Sequence, residues 1–396
     1  MRNNRFNNHL INIIIAICAF SLGTLTTLIV VSEKSMSKPS PENLSVETLP
    51  KKPHHFLLIL IITAPGHAAE RSAMRETWLK NKILWKSDIP YDANAVYIPQ
   101  YDTQTGFLHP ETPDVQSYSL DVYKKWMKKY KTINPEMDGV FMKNLSVVHF
   151  FAVGTAALDR AERRQLREEH EKYKDLLILE NIADSYSNLT RKLLQSLNQL
   201  NQEFTFDYLL KCDDDTFVDL PILLQDLQTY DKHIKIAYGK AENPHPTPRL
   251  YWGYFNGKAH IRTSGQWQEK KYDLCDKYLP YALGGGYILS GSIVQELAGS
   301  HEKLKTFQSE DISMGTWLAP FRDIHRRHDV RFDTAFMPRK CQSHHIVLHK
   351  RSIEDMRHFQ SGFTCSQIQN DAIRRPKEYF YHWLKPPTQC CDIAIN

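Results

Sequence analysis

The chain has 396 residues, 42% of them hydrophobic and 24% charged, with a formal net charge of +5. The length suits one large domain or two smaller ones, and the apolar fraction suits a packed core. The charge is slight and the bases are interspersed with acids rather than clustered, which excludes a nucleic-acid partner.

Leu10 to Val31, "LINIIIAICAFSLGTLTTLIVV", carries no charge and is about as long as a bilayer-spanning helix requires. Arg2 and Arg5 precede it, while Glu33 and Lys34 nearly cancel after it. The positive-inside bias makes residues 1–9 a cytosolic tail, residues 10–31 a transmembrane anchor and the remainder a lumenal body. A cleaved signal peptide is the alternative. Against it, the run is longer than a usual signal core and no small-x-small cleavage site follows.

Residues 32–53 are polar and proline-rich and read as a flexible stem. Asn43, Asn144 and Asn188 each open an N-x-S/T sequon, which fits a lumenal body. Asn188 equally suits a plain N-cap for the helix after it. The cysteines leave their pairing open. Cys18 lies in the apolar run, Cys212 reads as a free thiol on a buried strand, and Cys275, Cys341, Cys365, Cys390 and Cys391 are an odd remainder.

The folded body, residues 54–396, opens with "HHFLLILIITAP", a continuous apolar run that suits a strand covered on both faces. The segment "GHAAERSAMRETWL" reads as a helix. Residues 80–143 are polar, tyrosine-rich and proline-punctuated without clear periodicity, so they read as an insertion that carries no chemistry. Then "VVHFFAVGTA" predicts a strand, "LDRAERRQLREEHEKY" a charged surface helix and "DLLILE" a strand. "SNLTRKLLQSLNQLNQ" predicts a helix with Leu189, Leu193, Leu197 and Leu200 on one face, followed by the strand "FDYLLKCDDD". Alternating strands and helices predict an α/β fold with a mostly parallel central sheet and helices on both faces.

Asp213, Asp214 and Asp215 end that last strand, and in open α/β sheets ligands sit beyond the carboxyl ends of strands. Asp213 and Asp215 share a side in extended geometry, which suits Mn²⁺ or Mg²⁺ with positions open for a diphosphate. A solvated acidic turn capping the next helix, with Asp219 helping, is the plain alternative. Gly284 to Gly286 sit between apolar runs, where they serve close backbone approach to a ligand, unusual dihedrals or simply a strand bulge. They match neither a Walker loop nor a dinucleotide fingerprint. Glu310 and Asp311 precede an apolar helix. A carboxylate there serves as cap or as general base, and the backbone bonds of a cap would depress its pKa. His349 ends the run "HHIVLHK", where a structural role competes with a ligand role. Arg71 and Arg75 lie four apart on one helical face, paired with Glu70 and Glu76 or facing an anion.

Together these stretches resemble the β-1,3-glycosyltransferases of the inverting GT-A class. The likeness runs in order through "RSAMRETWL", "FAVGTA", "YSNLTRKLL", "KCDDDTFV", "YALGGGYILS", "SEDISMG" and His349. It spans the body except the insertion and the tail. Within the family the closer likeness is to the branch that adds the second galactose of the glycosaminoglycan–protein linkage tetrasaccharide. "RLYWGYFNGKAHIR", "YDLCDKYLPYALGGGYILS", "SEDISMGTWLAP", "HDVRFDTAF", "HKRSIEDM" and "PPTQCC" carry it. That branch is much shorter after Trp78, and the chain departs from it there.

The resemblance implies a GT-A-type nucleotide-sugar-binding fold, Mn²⁺ as cofactor and UDP-galactose as donor. It implies a galactosyl-xylosyl acceptor on proteoglycan core proteins and a single-pass type II place in the Golgi membrane. Asp215 and His349 would ligate the metal, and Asp213 and Asp214 would contact the sugar nucleotide or the ion's surroundings, Asp213 also as a ligand. Asp311 would be the catalytic base. Arg71, Arg75, Gly285 and Gly286 would line the donor site, and Trp252, Tyr287 and Glu310 the acceptor side. The competing readings are transfer of N-acetylglucosamine or N-acetylgalactosamine, a non-catalytic glycan-binding ectodomain, and a metal-dependent hydrolase.

Overall fold

The computed structural model describes residues 51–80, 96–133, 145–240, 242–337, 339, 341–361 and 378–395. The expected tail, anchor and most of the stem lie outside them, as do Asn43, Asn144, Cys18 and Cys365. No helix among the described residues is long and apolar enough to cross a membrane.

In chain order the elements are β1 (His54–Ile62), α1 (Ala68–Glu76), α2 (Pro113–Ile133), β2 (Val147–Gly154), α3 (Arg160–Tyr173), β3 (Leu176–Leu179) and α4 (Leu189–Glu203). Next come β4 (Thr205–Asp213), β5 (Phe217–Val218), α5 (Leu220–Tyr238), β6 (Arg249–Asn256), β7 (Tyr281–Ser290), α6 (Gly291–Gly299) and α7 (Glu310–Leu318). The last are β8 (Ile324–His328), β9 (Phe332–Asp333), β10 (Val347–Leu348), α8 (Ile353–Gln360), β11 (Tyr379–Phe380) and β12 (Ile393–Ala394).

A seven-stranded sheet has the order β3-β2-β1-β4-β7-β6-β8. The first four strands are parallel, as the alternation of strands and helices requires. Strand β7 runs antiparallel to both β4 and β6, and β8 is parallel to β6. Alternate residues of β1 feed separate cores. Leu57, Ile59 and Ile61 pack with α1, α2 and α5, while Leu58, Leu60 and Ile62 pack with α4, α6 and α7. The mixed α/β class with helices on both faces is therefore as expected.

Residues 80–143 depart from the expectation of a structureless insertion. They contain α2, a helix of 21 residues, whose Leu120, Tyr123 and Trp126 enter the core beside β1. Gln116 on the same face closes a pair of bonds with the backbone of Tyr381, at 2.9 and 2.8 Å. The apolar stripe is thin because a glutamine takes a buried place and two of the anchors are aromatic, so the 3.6-residue period is faint in sequence.

A small second sheet, β5-β10-β9, pairs Phe217 with Leu348. This register carries His349 to the end of the acidic triplet. Cys212 is a buried free thiol as expected, Cys275 is an exposed one, and Cys390 and Cys391 are bonded to each other.

Candidate active site

Side chains alternate along a strand, so Lys211 and Asp213 share one face of β4 while Cys212 points into the opposite core. Lys211 is 1% exposed. Its Nζ donates to Asp213 Oδ1 at 2.8 Å, to the Gly284 carbonyl at 2.6 Å and to Glu310. An ammonium removed from water must meet anions, and here it meets two. Burial opposes its charge, but Asp213 and Glu310 override that and hold Lys211 well above its ordinary pKa.

The three aspartates have different partners. Asp214 Oδ2 accepts from Thr63 Oγ1 at 2.6 Å and from His67 Nδ1 at 2.7 Å, tying the end of β4 to the turn after β1. Asp215 Oδ2 accepts from Lys350 at 2.7 Å. Its Oδ1 is buried, lacks a hydrogen-bond partner and lies 3.1 Å from His349 Nε2, which is equally unpartnered. Asp213 Oδ2 lies 3.4 Å from the same nitrogen. On the other side of the ring, Nδ1 donates to the Ala335 carbonyl at 2.9 Å, which leaves Nε2 with its lone pair facing the two carboxylates.

A lone pair aimed at carboxylate oxygens is repulsive unless something positive lies between them. A proton meets that need: burial alone would lower His349, yet Asp213 and Asp215 raise it to about 9. A divalent cation meets it as well. Asp213, Asp215 and His349 offer one ligand atom each, all within 4.8 Å of one another. Two carboxylates and an imidazole whose far nitrogen is fixed by a backbone carbonyl fit a first-row divalent ion. A second such group among the described residues, His344, His345 and Glu378, already has the Arg339 guanidinium 3.3 Å from its carboxylate.

The triple glycine explains how Asp311 and the cluster of Asp213, Asp215 and His349 come together. Between the pairs Tyr287–Gly253 and Ala282–Phe255 the ladder of β7 and β6 slips, so the segment bulges from the sheet. A Cβ on Gly285 would lie 2.4 Å from His349 Cγ, and one on Gly284 would lie 2.9 Å from Glu310 Oε1. The expected bulge is present, and the atoms that approach the glycine backbone closely are the site's own side chains. The Gly284 amide also donates to Asp311 Oδ2 at 3.0 Å.

Asp311 lies at the start of α7, where the Ile312 amide donates to its Oδ1 at 2.8 Å. Backbone donors there were expected to depress its pKa. Instead burial prevails over Lys211 and both amides and raises Asp311 to about 6. Glu310 rises to about 7, first through burial and then through the Asp311 and Asp213 carboxylates, against the pull of Lys211. Three carboxylates share one ammonium, so the acids with least compensation shift upward. Asp213, the carboxylate that faces both Lys211 and His349, is held well below the ordinary range despite its burial.

Several expected contacts are corrected. Arg71 is fully buried, pairs with Glu169 at 2.7 Å and braces the Ala64 carbonyl at 2.6 Å. Arg75 is taken by Glu169 and Asp175, each at 2.8 Å. Arg71 therefore supports the turn after β1 and Arg75 ties α1 to α3 and the start of β3, and neither offers a free guanidinium to the donor. Trp252, at 0% exposure, is core: its Nε1 donates to Asp329 at 3.0 Å and the Arg327 guanidinium sits 4.4 Å from its ring. Tyr287 and Glu310 are also buried, joined by a 3.1 Å bond from the tyrosine hydroxyl, so they position the site instead of lining an acceptor surface. Asn188 occupies the N-cap position of α4 but makes no cap bond; its amide donates to the Ala183 carbonyl at 3.0 Å. Lys211, Thr63 and His67 are the site residues not singled out from the sequence. A lysine inside the buried run "YLLKC" was the available signal.

The family model described as galactosyltransferase matches residues 122–330. The chain belongs to the galactosyltransferase family. Mouse beta-1,3-galactosyltransferase 6 is 43% identical over 247 residues, which cover 61% of this chain and 71% of that relative. The UDP-GalNAc:beta-1,3-N-acetylgalactosaminyltransferase 2 of Xenopus tropicalis is 37% identical over 165 residues, 41% of this chain and 30% of its own length. A solved chain of S. aureus TarS shares 10% identity at a TM-score of 0.29, covering 69% of the galactosyltransferase and 58% of itself. That likeness carries no argument. The matched span includes β4, the glycine bulge and Asp311, while His349 lies beyond its end.

Proposed function

We propose that this galactosyltransferase moves galactose from UDP-galactose to O3 of a β-galactosyl residue, adding the second galactose of the glycosaminoglycan–protein linkage. One observation supports this most: consecutive residues Gly284 and Gly285 touch Asp311 and His349, so a base and a metal group flank one stretch of backbone. The likeness to a mouse beta-1,3-galactosyltransferase supports galactose as the sugar moved and the β-1,3 linkage. Bound by Asp213, Asp215 and His349, Mn²⁺ would supply Lewis-acid neutralisation of diphosphate charge.

The chain's own residues do the rest. Asp311 is held by the Gly284 and Ile312 amides with lone pairs to spare, and at neutral pH its raised pKa leaves it ionised but basic. It accepts the proton of the acceptor hydroxyl as that oxygen bonds to C1 of the donor. The C1–O bond to UDP breaks with its electron pair, and the α-linked donor gives a β-linkage. No enzymic nucleophile is needed for this single displacement. Lys211 stays charged and keeps Glu310 and Asp213 in place beside the base.

The uncharged run from Leu10 to Val31 supports an anchored lumenal body, which we place in the Golgi membrane. The identity to an N-acetylgalactosaminyltransferase favours N-acetylgalactosamine as the second donor to test. The deciding experiment incubates the full chain with Mn²⁺, each UDP-sugar in turn and a Gal-β-1,4-xyloside. A β-1,3-digalactosyl product is expected. Exclusive use of UDP-N-acetylgalactosamine, or UDP-galactose cleavage indifferent to acceptor, overturns the reading.

A further inference from the structure

Among the described residues, nine large hydrophobic side chains are exposed, and most are scattered. Tyr186 at 40% and Phe336 at 47% exposure are different, because both meet the same tryptophan. The Trp267 ring lies 6.3 Å from Tyr186, edge to face, and 5.1 Å from Phe336. Three aromatic rings from three distant loops thus form one partly solvated surface. Exposed aromatic surface costs free energy unless something covers it.

The surface borders the catalytic cluster. Phe336 directly follows Ala335, whose carbonyl fixes the His349 ring. Burial, followed by the Asp311, Glu310 and Asp213 carboxylates, holds the Tyr186 hydroxyl well above its ordinary pKa. The loop that carries Trp267 is also tied to the site. Its turn is closed by the Gly265 carbonyl at 3.0 Å from the Gln268 amide, and Gly265 leads into it at φ +81, a conformation that favours glycine. Two residues after Trp267, Glu269 accepts from the Gln308 amide at 2.7 Å, just before Glu310 and Asp311. The rings are therefore pre-set relative to the base.

Resting on the proposed transfer to a galactoside, we infer that Tyr186, Trp267 and Phe336 form the platform on which the acceptor sugar stacks. The chemistry is specific. In β-galactose the axial O4 leaves the hydrogens of C3, C4 and C5 together on one face. That apolar, slightly positive face suits the negative face of an aromatic ring. O3 projects from the edge of the sugar, so a galactose lying on the platform can turn O3 toward Asp311. The donor needs no such surface, since its diphosphate belongs at the metal group. The platform thus separates acceptor binding from donor binding.

The test measures acceptor and donor KM and kcat for the full chain in detergent, with UDP-galactose and a Gal-β-1,4-xyloside. Trp267→Ala should raise the acceptor KM about tenfold, the scale of a lost aromatic stacking contact, and leave the donor KM unchanged. Trp267→Phe, which keeps a ring, should recover most of the loss. Phe336→Ser, at an exposed position that the fold tolerates, should raise the acceptor KM in the same sense. An unaltered acceptor KM in both Trp267→Ala and Phe336→Ser overturns the platform while the transfer reading stands. If the wild type accepts only a different sugar, the transfer reading falls, and the same ratio of acceptor to donor KM on that sugar decides the platform. A wild type that transfers to no glycoside overturns both.

Discussion

Gly285 passes so close beneath the His349 ring that its missing Cβ would lie 2.4 Å from Cγ and 2.5 Å from Nδ1 of the imidazole. Nδ1 is the nitrogen anchored to Ala335, so any side chain at 285 dislodges the ring from its hydrogen bond as well as from Asp213 and Asp215.

Gly285→Ala is therefore expected to weaken divalent-cation binding about 10- to 100-fold, as loss of a ligand's orienting bond does. The cost to the fold should be modest, about 1–3 kcal/mol, as for an overpacked methyl. Mn²⁺ titration calorimetry alongside thermal unfolding separates the two. A variant that binds Mn²⁺ as tightly as the parent would remove His349 from the ligand set.

Asp311→Asn keeps the shape of the side chain and removes its basicity. The rate of transfer should fall about 10²- to 10⁴-fold, the usual share of a general base, while UDP affinity stays as it was.

The same assignment fixes a pH dependence. A base must be ionised to accept a proton, and Asp311 is pushed up to about 6. In the parent, kcat/KM should climb as pH rises through about 6 and then level. The residual activity of Asp311→Asn should lack that inflection. A parent profile flat between pH 5 and 7 would leave Asp311 without the role.

Much of this was legible in the sequence, and what was not has a physical reason. The run from Phe56 to Ile62 reads as a doubly covered strand because every residue of it is apolar, and so it is. A D-x-D pattern puts Asp213 and Asp215 on one side of a strand end, and the two do lie together there, with His349 brought beside them by the register of β5 and β10. Trp252 was misplaced because family likeness marks a residue that matters without saying whether it touches ligand or core. The pKa direction expected for a capping Asp311 failed in a different way. Its two amide donors are local and visible at a helix start, but the burial that outweighs them comes from β7 and the rest of the fold. The Lys211–Glu310 pair spans 99 residues, beyond the reach of any local pattern.

Lys211 gives the sharpest test of that hidden network. Lys211→Met keeps length and apolar stem but leaves the buried Glu310 and the half-buried Asp213 without their cation. Removing one partner of a buried pair costs about 3–5 kcal/mol. The thermal midpoint should fall accordingly, and Lys211→Met combined with Glu310→Gln should be less destabilised than the single change, since the more deeply buried of the two orphaned charges is then gone. Additive losses in the two changes would show that the pair is not coupled.

Trp252 separates core from acceptor surface. Its indole donates to Asp329, packs 5.0 Å from Phe332 and lies under the Arg327 guanidinium, all away from solvent. Trp252→Phe should lose the hydrogen bond and part of the ring's packing, about 1–3 kcal/mol in all. Asp329 keeps Arg331 at 2.6 Å, so it is not left unpaired and the fold should survive. The acceptor KM should not change, in contrast to Trp267→Ala. A rise in acceptor KM for Trp252→Phe without loss of stability would return Trp252 to the acceptor side and contradict its burial.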